Sequence, residues 1–315
     1  MKILVTGCAG FIGSHFVRWL LQKKYQVTGI DDCSYGSVSQ ISDVLKNSQF
    51  KFHQKNLLNL KEIVPFFKHQ DLVIHLAANS DILKGFSKTD QDLQLNTQAT
   101  YHVLEGMRIH QVRKIIFASS SAVYGEPEKI PTAENYAPLK PISLYGASKL
   151  ACEGFIAAYS HLFEIQSWVY RFGNVVGGNP THGVIYDFIH KLKKDSSELQ
   201  VLGNGMQKKS YIHVKDCIEG IGWGFQHAKE KVNIFNLSSS DQISVKEIAE
   251  LTKKYFGTEK TKLQFQKQSY GWKGDVVQMH LNTAKMKKLG WKATLSSRQA
   301  IAATLTELLG AQSSK

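Results

Sequence analysis

The sequence has few cysteines, few prolines and no long apolar run, and each shortage excludes a class of protein. Its four cysteines, Cys8, Cys33, Cys152 and Cys217, form no C-x-x-C pair, so they offer neither zinc-ligand spacing nor a disulfide framework. With 6 prolines and no low-complexity segment, extended disorder is not expected. No apolar run approaches the ~18 residues of a membrane span, and the N-terminal apolar stretch is too short for a signal peptide. We expect a globular cytoplasmic protein without a membrane partner.

Acidic residues are also scarce relative to basic ones. The chain has 26 Asp and Glu against 39 Lys and Arg, a formal net charge of +13. Such an excess is compatible with nucleic acid or an anionic substrate as the partner. Here it is mostly lysine dispersed through the second half, without an arginine-rich tract or a nucleic-acid-binding module. We interpret it as a solvated lysine surface and expect no nucleic-acid partner.

Short β-rich runs alternate with helical spacing in the first half of the chain. Strands are predicted at 3–6, 27–30, 72–76, 114–118 and 166–172, and helices at 11–22, 93–107 and 145–163. Nearly continuous apolar strands separated by helices indicate a parallel sheet covered on both faces. We therefore predict a Rossmann-type, doubly wound α/β domain over 1–173, to which the chain returns near 211–237. A smaller α/β substrate domain is predicted over most of 174–315.

A glycine-rich loop follows the first predicted strand. Thr6–Gly13 reads TGCAGFIG, a G-x-x-G-x-x-G pattern between a strand and a helix. The first glycine permits a tight turn, the second a close approach of a pyrophosphate, and the third close packing of helix and strand. The anion then lies at the helix N-terminus. We therefore predict a dinucleotide site that includes Gly7, Gly10, Phe11, Ile12 and Gly13.

Two acidic residues, Asp31 and Asp32, end the second predicted strand. A carboxylate there accepts hydrogen bonds from the adenosine ribose and repels the additional phosphate of NADP, which usually needs a nearby arginine. No arginine lies between Arg18 and Arg108. The pair therefore favours NAD as the cofactor, the alternative being two acids that cap a loop.

A tyrosine and a lysine lie four residues apart, on one face of the helix predicted over 145–163. A lysine ammonium close to the Tyr145 phenol favours the phenolate, so the phenol can exchange a proton nearer neutral pH, and Lys149 can also hold the nicotinamide ribose. The segment Ser119–Gly125, SSSAVYG, follows the strand predicted over 114–118. A hydroxyl from it can donate to a substrate oxygen beside Tyr145.

With these motifs in place, the sequence resembles the extended short-chain dehydrogenases, in particular the nucleotide-sugar epimerase/dehydratase group typified by UDP-glucose 4-epimerases. The resemblance extends over essentially the whole chain. The motifs that carry it are Thr6–Gly13, Asp31, His75–Ala78, Asn96, Ser119–Gly125, Tyr145 with Lys149, Arg171–Asn174 and Tyr211–Asp216.

The resemblance implies a role for each matching residue. Ser120, three residues before the valine of the V-Y-G motif, is the expected catalytic hydroxyl, Tyr145 the acid/base and Lys149 its partner. The other residues assigned to NAD are Asn56, Leu57, Leu76, Ala77, Ala78, Asn96 and Phe172. Those assigned to the substrate are Asn79, Ser120, Asn174 and Lys209. No metal is implied, and a homodimer built from the helices over 93–107 and 145–163 is expected.

The sequence departs from the family pattern at several of these positions. Ser121-Ala122 stands where dehydratases carry Asp-Glu, which disfavours dehydration, and Asn56 stands where an adenine-binding Asp is common. Lys209-Ser210 replaces the usual Arg-Asp, and Trp272 replaces a diphosphate-binding Arg. Lysine lacks the bidentate guanidinium, so it is an open question which residues bind the diphosphate. Lys273 is a possible substitute for the missing arginine.

The expected activity is NAD-dependent oxidation at C4 of a nucleotide-diphosphate sugar through a 4-keto intermediate. An epimerase would return the hydride to the other face of the sugar. A 4-dehydrogenase or ketoreductase would release its product instead, and the sequence does not separate these outcomes. A more remote alternative is a non-catalytic NAD-binding or RNA-associated regulator, against which the intact Ser120, Tyr145 and Lys149 argue.

Overall fold

A computed structural model of the chain describes residues 1–79, 82–272 and 274–313. The chain divides into two compact units, each made of three separate segments. The first unit contains Met1–Val123, Ser143–Arg171 and Ile221–Phe235, and the second contains Tyr124–Ile142, Phe172–Gly220 and Asn236–Lys315. No helix among the described residues is long and apolar enough to cross a membrane.

The first unit is built on a seven-stranded sheet. Its strands, in chain order, are β1 Lys2–Thr6, β2 Gln26–Asp31, β3 Phe50–Gln54, β4 Leu72–His75, β5 Lys114–Ser120, β6 Gln166–Phe172 and, later in the chain, β11 Val232–Leu237. They are arranged as β11-β6-β5-β4-β1-β2-β3, and neighbours such as β1 and β4 run parallel. Every residue of β4 is buried, as expected of a strand covered on both faces. The Rossmann-type fold predicted from the sequence is confirmed.

Helices separate the strands of this sheet. They are α1 Phe11–Gln22, α2 Leu60–Ile63, α3 Ile82–Ser87, α4 Ala99–Ile109 and α5 Leu144–Leu162. Ser143 caps α5, because its Oγ accepts a hydrogen bond from the Gly146 N–H at 3.1 Å. The buried face of α4, with Val103 and Met107, packs into one core cluster with Ile115 and Phe117 of β5. This packing holds α5 and the end of β5 in the same unit.

One predicted helix differs in the structure. The spacing predicts a helix over 93–107, but the segment Leu93–Gln98 is a π-helix that leads into α4. Asn96 of this π-helix is buried, and its side chain contacts Ser148 of α5. Insertions of this kind are frequent at functional sites. The hydrophobic period alone does not reveal the wider turn, which depends on buried polar contacts.

The second unit has smaller sheets and its own core. Its strands are β7 Asn174–Val176, β8 Glu198–Val201, β9 Lys208–Lys209, β10 Tyr211–His213, β12 Ile243–Ser244, β13 Lys262–Phe265 and β14 Gln278–Met279. Its helices are α6 Val184–Lys194, α8 Val245–Phe256, α9 Ala284–Lys288 and α10 Ser297–Ser313, while α7 Val214–His227 begins in it and ends in the first unit. Ser244 and Glu247 form a capping box that starts α8. The core contains Phe188, Ile248 and Ile301.

Candidate active site

The glycine-rich loop has the geometry of an anion-binding turn. Gly7 has φ +73° and its N–H donates to the Ile30 carbonyl at 2.8 Å, so it joins β1 to β2 in a conformation that favours glycine. A Cβ on Gly13 would lie 1.9 Å from the Gly7 carbonyl oxygen, so only glycine fits there. Gly10 is the N-cap of α1 and offers no side-chain acceptor. The first N–H groups of α1, at Phe11 and Ile12, therefore suit an anionic ligand.

The Asp31 carboxylate is fixed beside this loop. It accepts hydrogen bonds from the Ala9 N–H at 2.9 Å and the Cys33 N–H at 2.8 Å. Burial raises the pKa of Asp31, and these two backbone N–H groups oppose that rise. The neighbouring Asp32 accepts from the N–H and hydroxyl of Ser34. A half-buried carboxylate next to a glycine loop can hold ribose hydroxyls, so the residues present fit a dinucleotide.

The next strand end passes the same loop. Leu76 N–H donates to the Thr6 carbonyl at 3.1 Å, and a Cβ on Gly7 would lie 2.6 Å from the Ala77 nitrogen. Ala78 follows in the same extended segment. On the far side, the Asn56 side chain accepts from the Leu58 N–H at 2.8 Å, directly after β3, and Leu57 is buried. The structure thus gathers the predicted cofactor residues of the first unit along one edge of its sheet.

A buried polar cluster links this edge to α5. The Asn79 N–H donates to Asn96 Oδ1 at 2.7 Å, and both amide side chains donate to Asp92 Oδ1. Asn96 Nδ2 also donates to Ser148 Oγ at 2.8 Å. Asp92 is 1% exposed. Sequence reasoning missed it, although its position four residues before Asn96 places the two on one helical face.

Ser120, Tyr145 and Lys149 come together in the first unit. Lys149 Nζ donates to the Ala118 carbonyl at 2.9 Å and lies 5.9 Å from the centroid of the Tyr145 ring. The Ser120 hydroxyl lies beside the Tyr145 phenol and acts to lower its pKa. Ser119 instead donates to Glu153 Oε1 at 2.5 Å. Of the first two hydroxyls in the serine run, therefore, Ser120 is the one paired with Tyr145.

Burial shifts the two ionisable groups of this set in opposite directions. It raises the pKa of Tyr145 to about 12, against the lowering effect of the Ser120 hydrogen bond. It lowers the pKa of Lys149 to about 8, against the neighbouring acidic groups Cys152, Asp92 and Glu153. Each shift follows from the cost of a buried charge, so the phenol does not have the lowered pKa that the spacing of Tyr145 and Lys149 predicts. Shifts of this kind, in a set that also contains a hydroxyl, are typical of acid/base chemistry.

A neutral histidine lies behind the lysine. Burial, followed by the charge of Lys149, lowers the pKa of His75 to about 3. Its Nδ1 contacts Thr6 Oγ1 at 2.6 Å and its Nε2 contacts Thr100 Oγ1 at 3.0 Å. Because the Ala77 N–H donates to Thr6 Oγ1, the Thr6 hydroxyl is free to donate to Nδ1, and we assign the ring proton to Nε2. His75 thus ties β1 to α4 without adding charge.

The remaining predicted residues belong to the second unit. Phe172 is buried at the end of β6, and Asn174 N–H donates to the Ser210 carbonyl at 3.1 Å. Lys209 Nζ is paired with Asp275 Oδ1 at 2.5 Å and lies 5.2 Å from the centroid of the Trp272 ring. Asp275 is a partner that sequence reasoning missed, although it directly follows the W-K-G segment. Lys273 lies outside the described residues.

Comparisons with known proteins find relatives over most of the chain. The family model described as GDP-mannose 4,6 dehydratase matches residues 4–304. A UDP-glucose 4-epimerase of Halalkalibacterium halodurans is 31% identical over 277 residues, covering 82% of this chain and 81% of the relative. A solved UDP-galactose 4-epimerase is 35% identical, with a TM-score of 0.89 and 99% of each chain covered. A Bacillus cereus UDP-glucuronic acid 4-epimerase, solved with UDP-glucuronic acid and NAD, is 28% identical, with a TM-score of 0.87 over 99% of this chain and 100% of that one.

Proposed function

Since the chain belongs to the extended short-chain dehydrogenase/reductase family, in its nucleotide-sugar epimerase/dehydratase group, we propose that it is an NAD-dependent 4-epimerase of a UDP-sugar. The observation that carries the proposal is the set of Ser120, Tyr145 and Lys149 at the end of β5, in which Lys149 is buried and the other two are half-buried. The relatives named above are 4-epimerases of UDP-sugars, and this supports both the position of reaction and the nucleotide.

NAD is the cofactor that the first unit is built to hold. The N-terminus of α1 would hold the pyrophosphate, Asp31 and Asp32 would hold the adenosine ribose, and the segment from Leu76 to Ala78 would contact the dinucleotide. Lys149 would hold the nicotinamide ribose. When bound, NAD supplies the hydride acceptor and donor for C4 of the sugar. The solved Bacillus cereus relative contains NAD, which supports this assignment.

The protein's own residues handle the proton. Tyr145 takes the proton of the C4 hydroxyl through its phenol oxygen and returns it after the 4-keto sugar has turned its other face. Ser120, whose hydroxyl lies beside that phenol, orients the reacting oxygen. The Lys149 ammonium offsets the cost of a buried phenolate. Positioned proton transfer of this kind contributes ~10²–10⁴-fold to the rate.

Dehydration is not part of the proposal. Eliminating water from C5 and C6 requires an acid and a base beside the catalytic hydroxyl, and the two residues after Ser120 are Ser121 and Ala122. Neither side chain ionises in the neutral range. Asn79, Asn174 and Lys209 are the residues that we propose for the substrate, with the Lys209 charge already shared with Asp275.

The decisive experiment is incubation of the NAD-loaded protein with UDP-, GDP-, CDP- and dTDP-sugars. Product identity by chromatography and NMR is recorded together with the absorbance of reduced nicotinamide. We expect a C4 epimer of a UDP-sugar at equilibrium, without accumulation of NADH. A released 4-keto sugar with stoichiometric NADH would establish the dehydrogenase alternative, and a 4-keto-6-deoxy product would establish a dehydratase.

A further inference from the structure

A buried ion pair lies directly behind the serine run. Arg171 donates to Glu153 through Nη2 at 2.7 Å and through Nε at 3.0 Å. Glu153 is 7% exposed, Arg171 3%, and Ser119, which also donates to Glu153, 2%. Replacing such pairs by apolar residues is often neutral or stabilising, so a buried pair is weak evidence for a role in stability. The contacts of the pair are therefore the better guide to its role.

The placement of the pair shows what that role is. Three consecutive residues of β5 are held by three residues of α5 spaced one helical turn apart. The Ala118 carbonyl accepts from Lys149, Ser119 donates to Glu153, and the Ser120 hydroxyl lies beside the Tyr145 phenol. Since Ser119 and Ser120 are adjacent in the strand, fixing Ser119 toward Glu153 limits how far Ser120 can move relative to the tyrosine.

We propose that Glu153 is a positioning residue for Ser120, Tyr145 and Lys149, which fixes the end of β5 against α5 through Ser119 while Arg171 balances its charge. This inference rests on the proposed function for its kinetic consequence only. The side chain of Glu153 contacts Ser119 and Arg171. It acts through the strand it holds and through the electric field that it and Arg171 create at the tyrosine–lysine pair.

The charges around that pair come from every neighbouring element. Asp92 precedes the π-helix, Cys152 and Glu153 lie on α5, and the neutral His75 lies on β4. Removing the Glu153 charge leaves the Arg171 guanidinium unbalanced. Positive charge favours the phenolate and disfavours the ammonium, so both titration steps of the coupled pair move to lower pH.

The test uses the full-length protein labelled with 3-fluorotyrosine and needs no substrate. The Tyr145 resonance in ¹⁹F NMR is identified by its loss in Tyr145→Phe, and its shift is followed against pH. In Glu153→Gln we expect the titration steps to move down by about half to one pH unit. The double variant Glu153→Gln/Arg171→Met removes both charges and should titrate close to the wild type.

Kinetic measurements distinguish the effect of the length of the Glu153 side chain from the effect of its charge. Glu153→Asp keeps the charge but is one methylene too short to hold Ser119, so the titration should stay while turnover falls by about 10- to 100-fold with little change in KM, as for a misplaced catalytic group. Ser160→Ala is the matched control, because Ser160 makes a buried hydrogen bond from α5 to Ser167 of β6 at 3.0 Å without touching β5. It should lower stability and leave the titration and turnover unchanged.

The proposal is overturned if Glu153→Gln behaves as Ser160→Ala does, with lower stability but unmoved titration steps and turnover. If Glu153→Gln does not fold, Ser119→Ala decides, because it cuts only the link to the strand. Unchanged turnover in Ser119→Ala would overturn the proposal, and a loss with unchanged KM would support it. Failure of the wild type to turn over any UDP-sugar would refute the proposed function while leaving the ¹⁹F titration as a valid test.

Discussion

At the scale of single residues, the chemistry depends on two groups whose surroundings disfavour their own charges. Desolvation makes the Tyr145 phenolate and the Lys149 ammonium each costly. Lys149 Nζ lies 5.9 Å from the centroid of the Tyr145 ring, so opposite charges on the two groups offset part of both costs. The pair therefore has to be examined as one titrating unit rather than as two residues.

Replacing Tyr145 tests the acid/base assignment. Tyr145→Phe removes the exchangeable proton and keeps the ring, so turnover should fall by ~10²–10⁴-fold while NAD still binds, measured by steady-state kinetics and calorimetry. Lys149→Met should lower turnover and also weaken NAD. Tyr159→Phe, on the same helix with its hydroxyl donating to Glu105 at 2.7 Å, is the control. Near-wild-type turnover in Tyr145→Phe would reject the mechanism.

The serine run allows a second comparison at this scale. Ser120→Ala should lower turnover less than Tyr145→Phe does, because it removes only a group that orients the oxygen. Ser121→Ala should be nearly silent under the same kinetic assay. A large loss at Ser121 with none at Ser120 would place the catalytic hydroxyl one residue later.

Cofactor selection is expected to depend on the charge of Asp31. Asp31→Asn keeps one acceptor oxygen, which can serve the Ala9 or the Cys33 N–H but not both, and it weakens the bonds to ribose hydroxyls. Hydrogen bonds to a charged group contribute about 1.5–3 kcal/mol, so calorimetric titration should show an NAD affinity about 10- to 100-fold lower than that of the wild type. The difference between the affinities for NAD and NADP should also become smaller. Asp43→Asn, which removes only the exposed pair with Arg18, should change neither. Tighter binding of NADP than of NAD to the wild type would refute the assignment.

At the scale of elements, α4 and α5 present apolar side chains to the outside. Tyr101 and Ile109 of α4 are 39% and 46% exposed, and Phe155 and Leu162 of α5 are 43% and 73% exposed. Tyr159 and Glu105, one turn from these residues, join the two helices. An exposed apolar surface of this kind is typical of an interface. We propose that it is the homodimer surface expected for the family.

Charge on this surface should therefore dissociate the dimer. Phe155→Glu and Leu162→Glu would each place a carboxylate against the partner helix, and both variants should sediment as monomers at micromolar concentration. Leu45→Glu, at a leucine that is 39% exposed in a loop of the first unit, should sediment as the wild type does. A wild-type protein that sediments as a monomer would contradict the proposal.

The elements were predictable from the sequence to different degrees. The helix predicted at 11–22 and the strand predicted at 166–172 coincide with α1 and β6, because an apolar period and a glycine or polar boundary specify them locally. The π-helix at Leu93–Gln98 and the partners Glu153 and Asp275 were not predictable. They depend on which side chains meet after folding, and a lone acid between apolar residues gives no sign of its partner.

At the scale of the whole molecule, stability in acid should depend on a group of polar contacts made by Glu307 in the second unit. Glu307 of α10 accepts from the Gly178 N–H at 2.8 Å and pairs with Lys215 at 3.2 Å and His213 at 3.4 Å. Burial by itself raises the pKa of Glu307, but these partners more than offset it, so the pKa lies below its ordinary value.

The sign of the pH effect follows from that depressed pKa. The stabilisation by Glu307 is complete above the unfolded value of 4.5 and is lost as pH falls through the lower folded value. Glu307→Gln should therefore be less stable than the wild type at pH 7, with the difference shrinking below pH 4.5, as measured by urea unfolding at each pH. Thr306→Ala, which changes the residue directly before Glu307 in α10, is the control. A difference independent of pH would contradict the role of the charge.

The division of the chain into two units has a consequence for how the protein is made. The polypeptide passes from one unit to the other five times, and the first unit takes its last segment from Ile221–Phe235. During synthesis on the ribosome, the parallel sheet therefore cannot be completed before β11 is present, which requires about three quarters of the chain. Until then the nascent chain exposes an unpaired edge at β6, which is a template for wrong pairing. Truncation before β11 should accordingly yield aggregates rather than a free dinucleotide-binding module.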